Sequence, residues 1–175
     1  NAAESTRVRC IMRQGIVHIY SGDGHGKSPA ALGEAVMMAA LGKSVMIIQF
    51  LKGKGLADSE FLGRLEPEIK IFRFEKSDLN FAELSEEKKT EEIINIKNGI
   101  NFAKKVLSTG ECDLLILDEL LGLIDNSIIT VEDLKNLLEA RDEETDVILT
   151  GISLNDEISL LADEISRIET VKIKG

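Results

Sequence analysis

Apolar residues gather along the chain into short runs, with charged or glycine-bearing stretches between them. GIVHIYS (Gly15 to Ser21), SVMIIQFL (Ser44 to Leu51), DLLILDEL (Asp113 to Leu120) and TDVILTG (Thr145 to Gly151) are apolar at most consecutive positions. Strands buried on both faces carry this pattern, and such strands belong to parallel sheets. IKIFRFE (Ile69 to Glu75) alternates as a strand, and ISRIETVKI (Ile165 to Ile173) predicts a last one. SPAALGEAVMMAAL predicts a helix that stops at Gly42, a residue suited to ending helices. A short helix over Asp58 to Leu65 is closed by Pro67. A long helix over about Ser85 to Leu107 buries Ile93, Ile96, Ile100, Ala103 and Leu107, which recur at spacings of three and four. Glu86, Glu87, Lys88, Lys89, Glu91 and Glu92 read as its solvated first turns. Thr130 with Asp133 predicts a capped helix through Ala140, and Ser153 with Asp156 caps another over Leu154 to Ala162.

Strands separated by helices predict an α/β fold, a mostly parallel central sheet with a helical layer on each face. Residues 15–175 form a single such domain, with no internal repeat and no linker. Residues 1–14 are an N-terminal segment, flexible or covering the site, that carries Arg7, Arg9 and Arg13. Asn1 to Ala3 are left out of fold reasoning as a processed end or cloning remnant.

Composition narrows the function classes. The 175 residues are 43% hydrophobic and 30% charged, as in globular proteins. A net charge of -10 argues against a nucleic-acid binder. The longest apolar region, Ala30 to Leu51, is interrupted by Glu34, Gly42 and Lys43, so it reads as helix, turn and strand and not as a membrane span. Cys10 and Cys112 make no disulfide framework, Cys112 reads as a buried thiol, and cytoplasm is the expected compartment.

The candidate chemistry sits in SGDGHGKS (Ser21 to Ser28), between a predicted strand and a predicted helix. That context is the one a phosphate-binding P-loop requires, and it makes the predicted fold P-loop NTPase-like. Gly22, Gly24 and Gly26 let the backbone curl with its amides inward, with Asp23 and His25 between them. Lys27 supplies a mobile cation for phosphate oxygens, and Ser28 a hydroxyl for Mg²⁺ or Mn²⁺. A second site is expected where Asp118 and Glu119 end an apolar strand, at the sheet edge where open α/β folds bind ligands. Spacing does not decide which of these two carboxylates meets the metal.

GIVHIYSGDGHGKSPAALGEAVMMAALGKSVMIIQFLKG, CDLLILDELLGLI and the TDVILTG and LADEIS segments together resemble the P-loop corrinoid adenosyltransferases. The resemblance covers about Gly15 to Lys172. It implies an enzyme that moves the 5′-deoxyadenosyl group of ATP to the cobalt of a reduced Co(I) corrinoid and releases triphosphate. ATP is then a co-substrate, held by Gly22 to Ser28. Ser28 and Glu119, with Asp118 adjacent, are implied as metal ligands or near-ligands. Gln49, Phe50 and Lys52 end a strand at the same edge and read equally as site walls or as strand-end packing. Phe81, with Leu79, falls where the family carries a tryptophan near the corrinoid. A homodimer and a flavodoxin-like or flavin reductant are further implications. The family also begins its loop with Ser or Thr, so Ser21 is a family trait.

The sequence departs from the pattern at His25 (usually lysine), Pro29 (usually threonine) and Ile152 (commonly arginine), and it ends at VKIKG without the family's basic tail. Proline suits the first helical turn but brings no N–H to the cradle. Two alternatives therefore stand beside the transferase: a non-catalytic or regulatory ATP-binding paralogue, and an ordinary P-loop ATPase or kinase.

Overall fold

The computed structural model describes residues 14–51, 59–75 and 77–175. The predictions for Lys52, Asp58, Cys10 and the arginines of the N-terminal segment lie outside the described residues. The strands are β1 (Val17–Ser21), β2 (Val45–Gln49), β3 (Ile69–Arg73), β4 (Leu114–Asp118), β5 (Asp146–Gly151) and β6 (Glu164–Arg167). The helices are α1 (Lys27–Ala40), α2 (Glu60–Gly63), α3 (Glu86–Thr109), α4 (Leu120–Asp125), α5 (Val131–Glu139) and α6 (Asp156–Ser159). A single six-stranded sheet runs β3-β2-β4-β5-β1-β6, and every pair of neighbouring strands is parallel. The α/β, parallel-sheet prediction therefore holds.

The two-residue alternation of the strands sorts their side chains onto two faces. Val45, Ile47, Leu114, Ile116 and Ile148 pack with Ala31 and Ala35 of α1. Small alanines at these contacts let α1 lie close to the sheet. The residues between them in sequence, among them Met46, Ile48, Leu115, Leu117, Val147 and Leu149, pack with Ile96, Ala103 and Leu107 of α3 and Leu134 and Leu137 of α5. This second layer is the larger core, and burial of its side chains supplies most of the hydrophobic stabilisation.

Several local expectations hold and others are corrected. Ser85 caps α3, accepting from the Lys88 amide, and Gly110 ends it in the left-handed conformation at φ 63°. The Thr130–Asp133 capping box is present in both directions. The α3 stripe is shifted: Gly99 and Val106 are buried, while Ile93 and Ile100 are half-buried. Glu92 is buried, against the solvated-turn reading, because its Oε1 accepts the Ser77 amide at 3.1 Å. α6 is one turn capped by Asn155, whose Oδ1 accepts the Ile158 amide at 2.8 Å; Ser153 does not cap it. α4 has no separate mark in the sequence, because LLGLID follows β4 without a break in apolar character. β6 spans Glu164–Arg167 and ends short of the predicted Ile173. Cys112 is buried as expected, and desolvation pushes its thiol up to about 12.

Candidate active site

The loop after β1 turns into α1 through Gly26, which sits at φ 116° as the residue preceding the helix. Gly22 adopts the same φ of 116°. Both lie where L side chains are strained, so glycine is required at these two places. The first α-helical bond runs from the Ala30 amide to the Gly26 carbonyl at 2.9 Å. Pro29 falls within the first turn, where its missing N–H breaks no helical bond. Lys27 is buried, and its Nζ donates to the Gly24 carbonyl at 3.0 Å, so the ammonium is folded over the loop.

Ser28, in the first turn of α1, donates from Oγ to Asp118 Oδ1 at 2.9 Å. The strand alternation explains the pairing. Asp118 follows Leu114 and Ile116 at intervals of two, so it faces α1. Leu117 pairs with Leu149, which brings Thr150 of β5 level with Asp118. Thr150 continues the Ile148 register on the same face. Its Oγ1 donates to Asp118 Oδ1 at 2.7 Å and accepts the Glu119 amide at 2.8 Å. Thr150 is fully buried and Asp118 is 2% exposed, so these bonds form away from bulk water, where they are strongest. Sequence reading missed Thr150. The signal was present: an apolar β strand that ends in a hydroxyl two residues after Ile148 and one before a glycine.

Glu119 follows Asp118 but does not continue the strand. It turns to φ 62° and precedes α4, and its Oε2 lies 3.6 Å from the Cβ position of Gly122. The structure thus brings Lys27, Ser28, Asp118 and Thr150 together, with Glu119 beside them. Ser, Asp and Thr offer oxygen donors only, the set a hard cation such as Mg²⁺ prefers. Among the described residues no group of three or more His, Cys, Asp or Glu side chains is arranged to hold a metal. A Mg²⁺ carried on a triphosphate needs only one or two protein ligands.

Residues 13–174 match the profile of the ATP:corrinoid adenosyltransferase BtuR/CobO/CobP family. The chain belongs to this family. A corrinoid adenosyltransferase of Escherichia coli K12 is 29% identical over 159 residues, 91% of this chain and 79% of the relative. One of Pseudomonas aeruginosa is 23% identical over 159 residues, 91% of this chain and 77% of the relative. Among solved structures, a KaiC-like protein of Pyrococcus horikoshii superposes with a TM-score of 0.60 at 16% identity. That superposition covers 93% of this chain and 77% of the other, and it speaks to the α/β fold alone.

The remaining candidates of the adenosyltransferase chain are distributed unevenly. Gln49 ends β2, pairs in register with Asp118 and is buried. Phe50 is not an open wall of the site. It takes the opposite parity, packs in the larger core and approaches Gly99 of α3. Ile152 has an exposed side chain, while its carbonyl accepts the Gly22 amide at 3.2 Å, which places residue 152 against the loop. His25 is exposed, as is Asp23. Leu79 is exposed and Phe81 half-buried, with Lys89 Nζ 5.9 Å from the Phe81 ring centroid. They line a shallow cleft with Glu75, Ser77, Leu84, Glu92 and Ile96. Burial and, to a smaller degree, the Glu92 carboxylate raise the Glu75 carboxyl to about 7, against the pull of Arg73. His18 is structural in its contacts: it is buried, and its Nε2 lies 2.9 Å from Ser166 Oγ.

Proposed function

We propose that this chain transfers the 5′-deoxyadenosyl group of ATP to the cobalt of a reduced Co(I) corrinoid. Family membership and the Ser28–Asp118–Thr150 cluster beside the phosphate loop support the reading, and the 2.9 Å Ser28–Asp118 bond is the observation that carries it. Co(I) attacks C5′ with its own electron pair. The C5′–O bond breaks, its pair leaves on triphosphate, and cobalt ends as Co(III). No general base is needed, so the protein's work is positioning and stabilisation of the leaving charge.

In this reading Gly22, Asp23, Gly24, His25, Gly26, Lys27 and Ser28 surround the triphosphate, and the Lys27 ammonium turns from the Gly24 carbonyl to its oxygens. The Ser28 hydroxyl and Asp118 hold the metal side, with Glu119 next to them. Mg²⁺ or Mn²⁺, when bound, offsets triphosphate charge. Leu79 and Phe81 supply the apolar corrinoid side, with Phe81 in the place of the family's tryptophan. A homodimer, a flavodoxin-like or flavin electron donor and a cytoplasmic setting complete the proposal. Among the described residues no helix is long and apolar enough to cross a membrane.

The test is an anaerobic reaction with ATP, a chemical reductant and a verified Co(I) corrinoid, followed by cobalt–carbon absorbance and product analysis. Adenosylcorrinoid and triphosphate are expected in equal amounts. A melting-temperature rise with ATP but no adenosylation identifies a nucleotide-binding paralogue, and ADP or phosphate identifies an ATPase or kinase; either result overturns the proposal.

A further inference from the structure

Pairing between β6 and β1 matches Ser21 with Arg167 at the strand ends, yet the contact continues beyond both. The Ile168 amide donates to the Ser21 carbonyl at 2.8 Å. The Gly24 amide then donates to the Ile168 carbonyl at 3.1 Å, and the His25 amide to Thr170 Oγ1 at 2.9 Å. The fit is close: a Cβ on Gly22 would run into the Ile168 carbonyl, and one on Gly24 would stand 2.7 Å from both the Ile168 oxygen and the Thr170 nitrogen. The third glycine is looser, with Ile168 Cγ2 3.8 Å from its Cβ position. Residues 168–170 therefore run along the phosphate loop from its first residue to its fifth.

The Gly22, Gly24 and His25 amides therefore do not point into the loop as the glycine pattern predicts; they are taken by Ile152, Ile168 and Thr170. We propose that residues 168–170 form a clasp that holds the phosphate loop in its curled shape, and that Thr170 is a positioning residue for triphosphate, acting by fixing the backbone at His25 and not by presenting that amide to the ligand. The inference rests on the adenosyltransferase reading for its ligand and on the loop contacts for its geometry. Three glycines in five residues give Gly22 to Gly26 more conformational freedom to lose than any other stretch of this length in the described chain. A loop ordered before the ligand arrives does not lose that freedom on binding, and affinity rises accordingly. Thr170 is exposed, so its hydroxyl serves the loop and not a core. Its side chain is the one part of the clasp that substitution removes without altering backbone pairing.

Thr170→Val keeps the shape and deletes the hydroxyl, whereas Thr170→Ser keeps the hydroxyl. Two measurements on the full chain test the clasp. Calorimetry with inorganic triphosphate and Mg²⁺ is expected to show about two- to tenfold weaker binding for Thr170→Val, the size of one hydrogen bond, and near wild-type binding for Thr170→Ser. Hydrogen exchange on the ligand-free protein is expected to be faster at Gly24 and His25 in Thr170→Val only. Equal or tighter triphosphate binding by Thr170→Val overturns the positioning role. Unchanged exchange at both amides overturns the clasp. If the wild-type chain itself fails to bind triphosphate, the adenosyltransferase reading fails, and the exchange experiment still decides the clasp.

Discussion

Ser28 Oγ and Asp118 Oδ1 lie 2.9 Å apart although 90 positions separate them in sequence. The contact joins the phosphate loop to the end of β4, and the proposed leaving-group chemistry is centred on it. Ser28→Ala and Asp118→Asn should each slow adenosyl transfer by about 100-fold or more, the scale seen when a group stabilising a developing charge is removed. Initial rates across a Mg²⁺ titration check this. A variant with unchanged rate and unchanged metal requirement would remove that residue from the site.

Thr150 holds Asp118 and Glu119 with one hydroxyl. Thr150→Val deletes both bonds while preserving shape and strand propensity. It should destabilise the fold by about 1–3 kcal/mol, because buried partners are left unsatisfied. It should also raise the Mg²⁺ requirement by about tenfold or more, as loss of a ligand-orienting contact does. Thr150→Ser should restore the metal response. Rescue of melting temperature without rescue of the metal response would argue for a purely structural threonine.

If the family resemblance holds at these positions, with lysine and threonine as the usual residues, His25 and Pro29 leave the loop with one cation and one amide fewer. His25→Lys with Pro29→Thr should tighten ATP binding by about tenfold, given about 1.5–3 kcal/mol for a hydrogen bond to a charged group. Calorimetry reads the change directly. Equal or weaker binding would show that these two residues are matched to this loop as it stands.

Gly151 ends β5 with Leu121 of α4 directly against it, and a Cβ there would overlap the leucine side chain. Gly151→Ala should therefore cost about 1–3 kcal/mol through overpacking, or several degrees of melting temperature at about 2–4 °C per kcal/mol. A thermal melt with no loss would mean that α4 can move away freely.

Burial raises the Glu75 carboxyl from its ordinary 4.5 to about 7. The folded state thus holds its proton more tightly than the unfolded chain does. Its contribution to stability is full below about 4.5 and is lost as pH rises through about 7. Glu75→Gln should flatten that part of the curve, measured as the difference in melting temperature between variant and wild type across the window. A difference that does not change with pH would place the Glu75 pKa near its ordinary value.

Much of this was legible in the sequence, for physical reasons that also mark where legibility stops. The apolar runs fixed strand identity and parallel pairing, because a strand buried on both faces has no polar side to show. SGDGHGKS located the loop, because few other patterns place three glycines and a Lys-Ser between strand and helix. Asp118 against Glu119 looked undecidable by spacing, yet parity decides which faces α1: Asp118 shares the face of Leu114 and Ile116. Phe50 reads equally as a site wall or as strand-end packing, and the same parity decides for packing in the larger core. Glu92 looked solvated because its neighbours are charged, and only the fold reveals the Ser77 amide that it accepts. The contact of residues 168–170 with the loop was invisible, since it depends on which strand lies beside β1.

The alternation that aims Asp118 and Thr150 at α1 also constrains how this site can vary. A single residue inserted within β4 or β5 would exchange the two faces downstream, carrying Asp118 or Thr150 toward the leucine-rich layer under α3 and α5 and putting Leu117 or Leu149 toward Ser28. Substitution at these positions changes the chemistry in place, whereas a length change within the strand abolishes it. Length variation among related chains should therefore fall in the connections, with the spacing from Leu114 to Asp118 and from Ile148 to Thr150 kept at four and two residues.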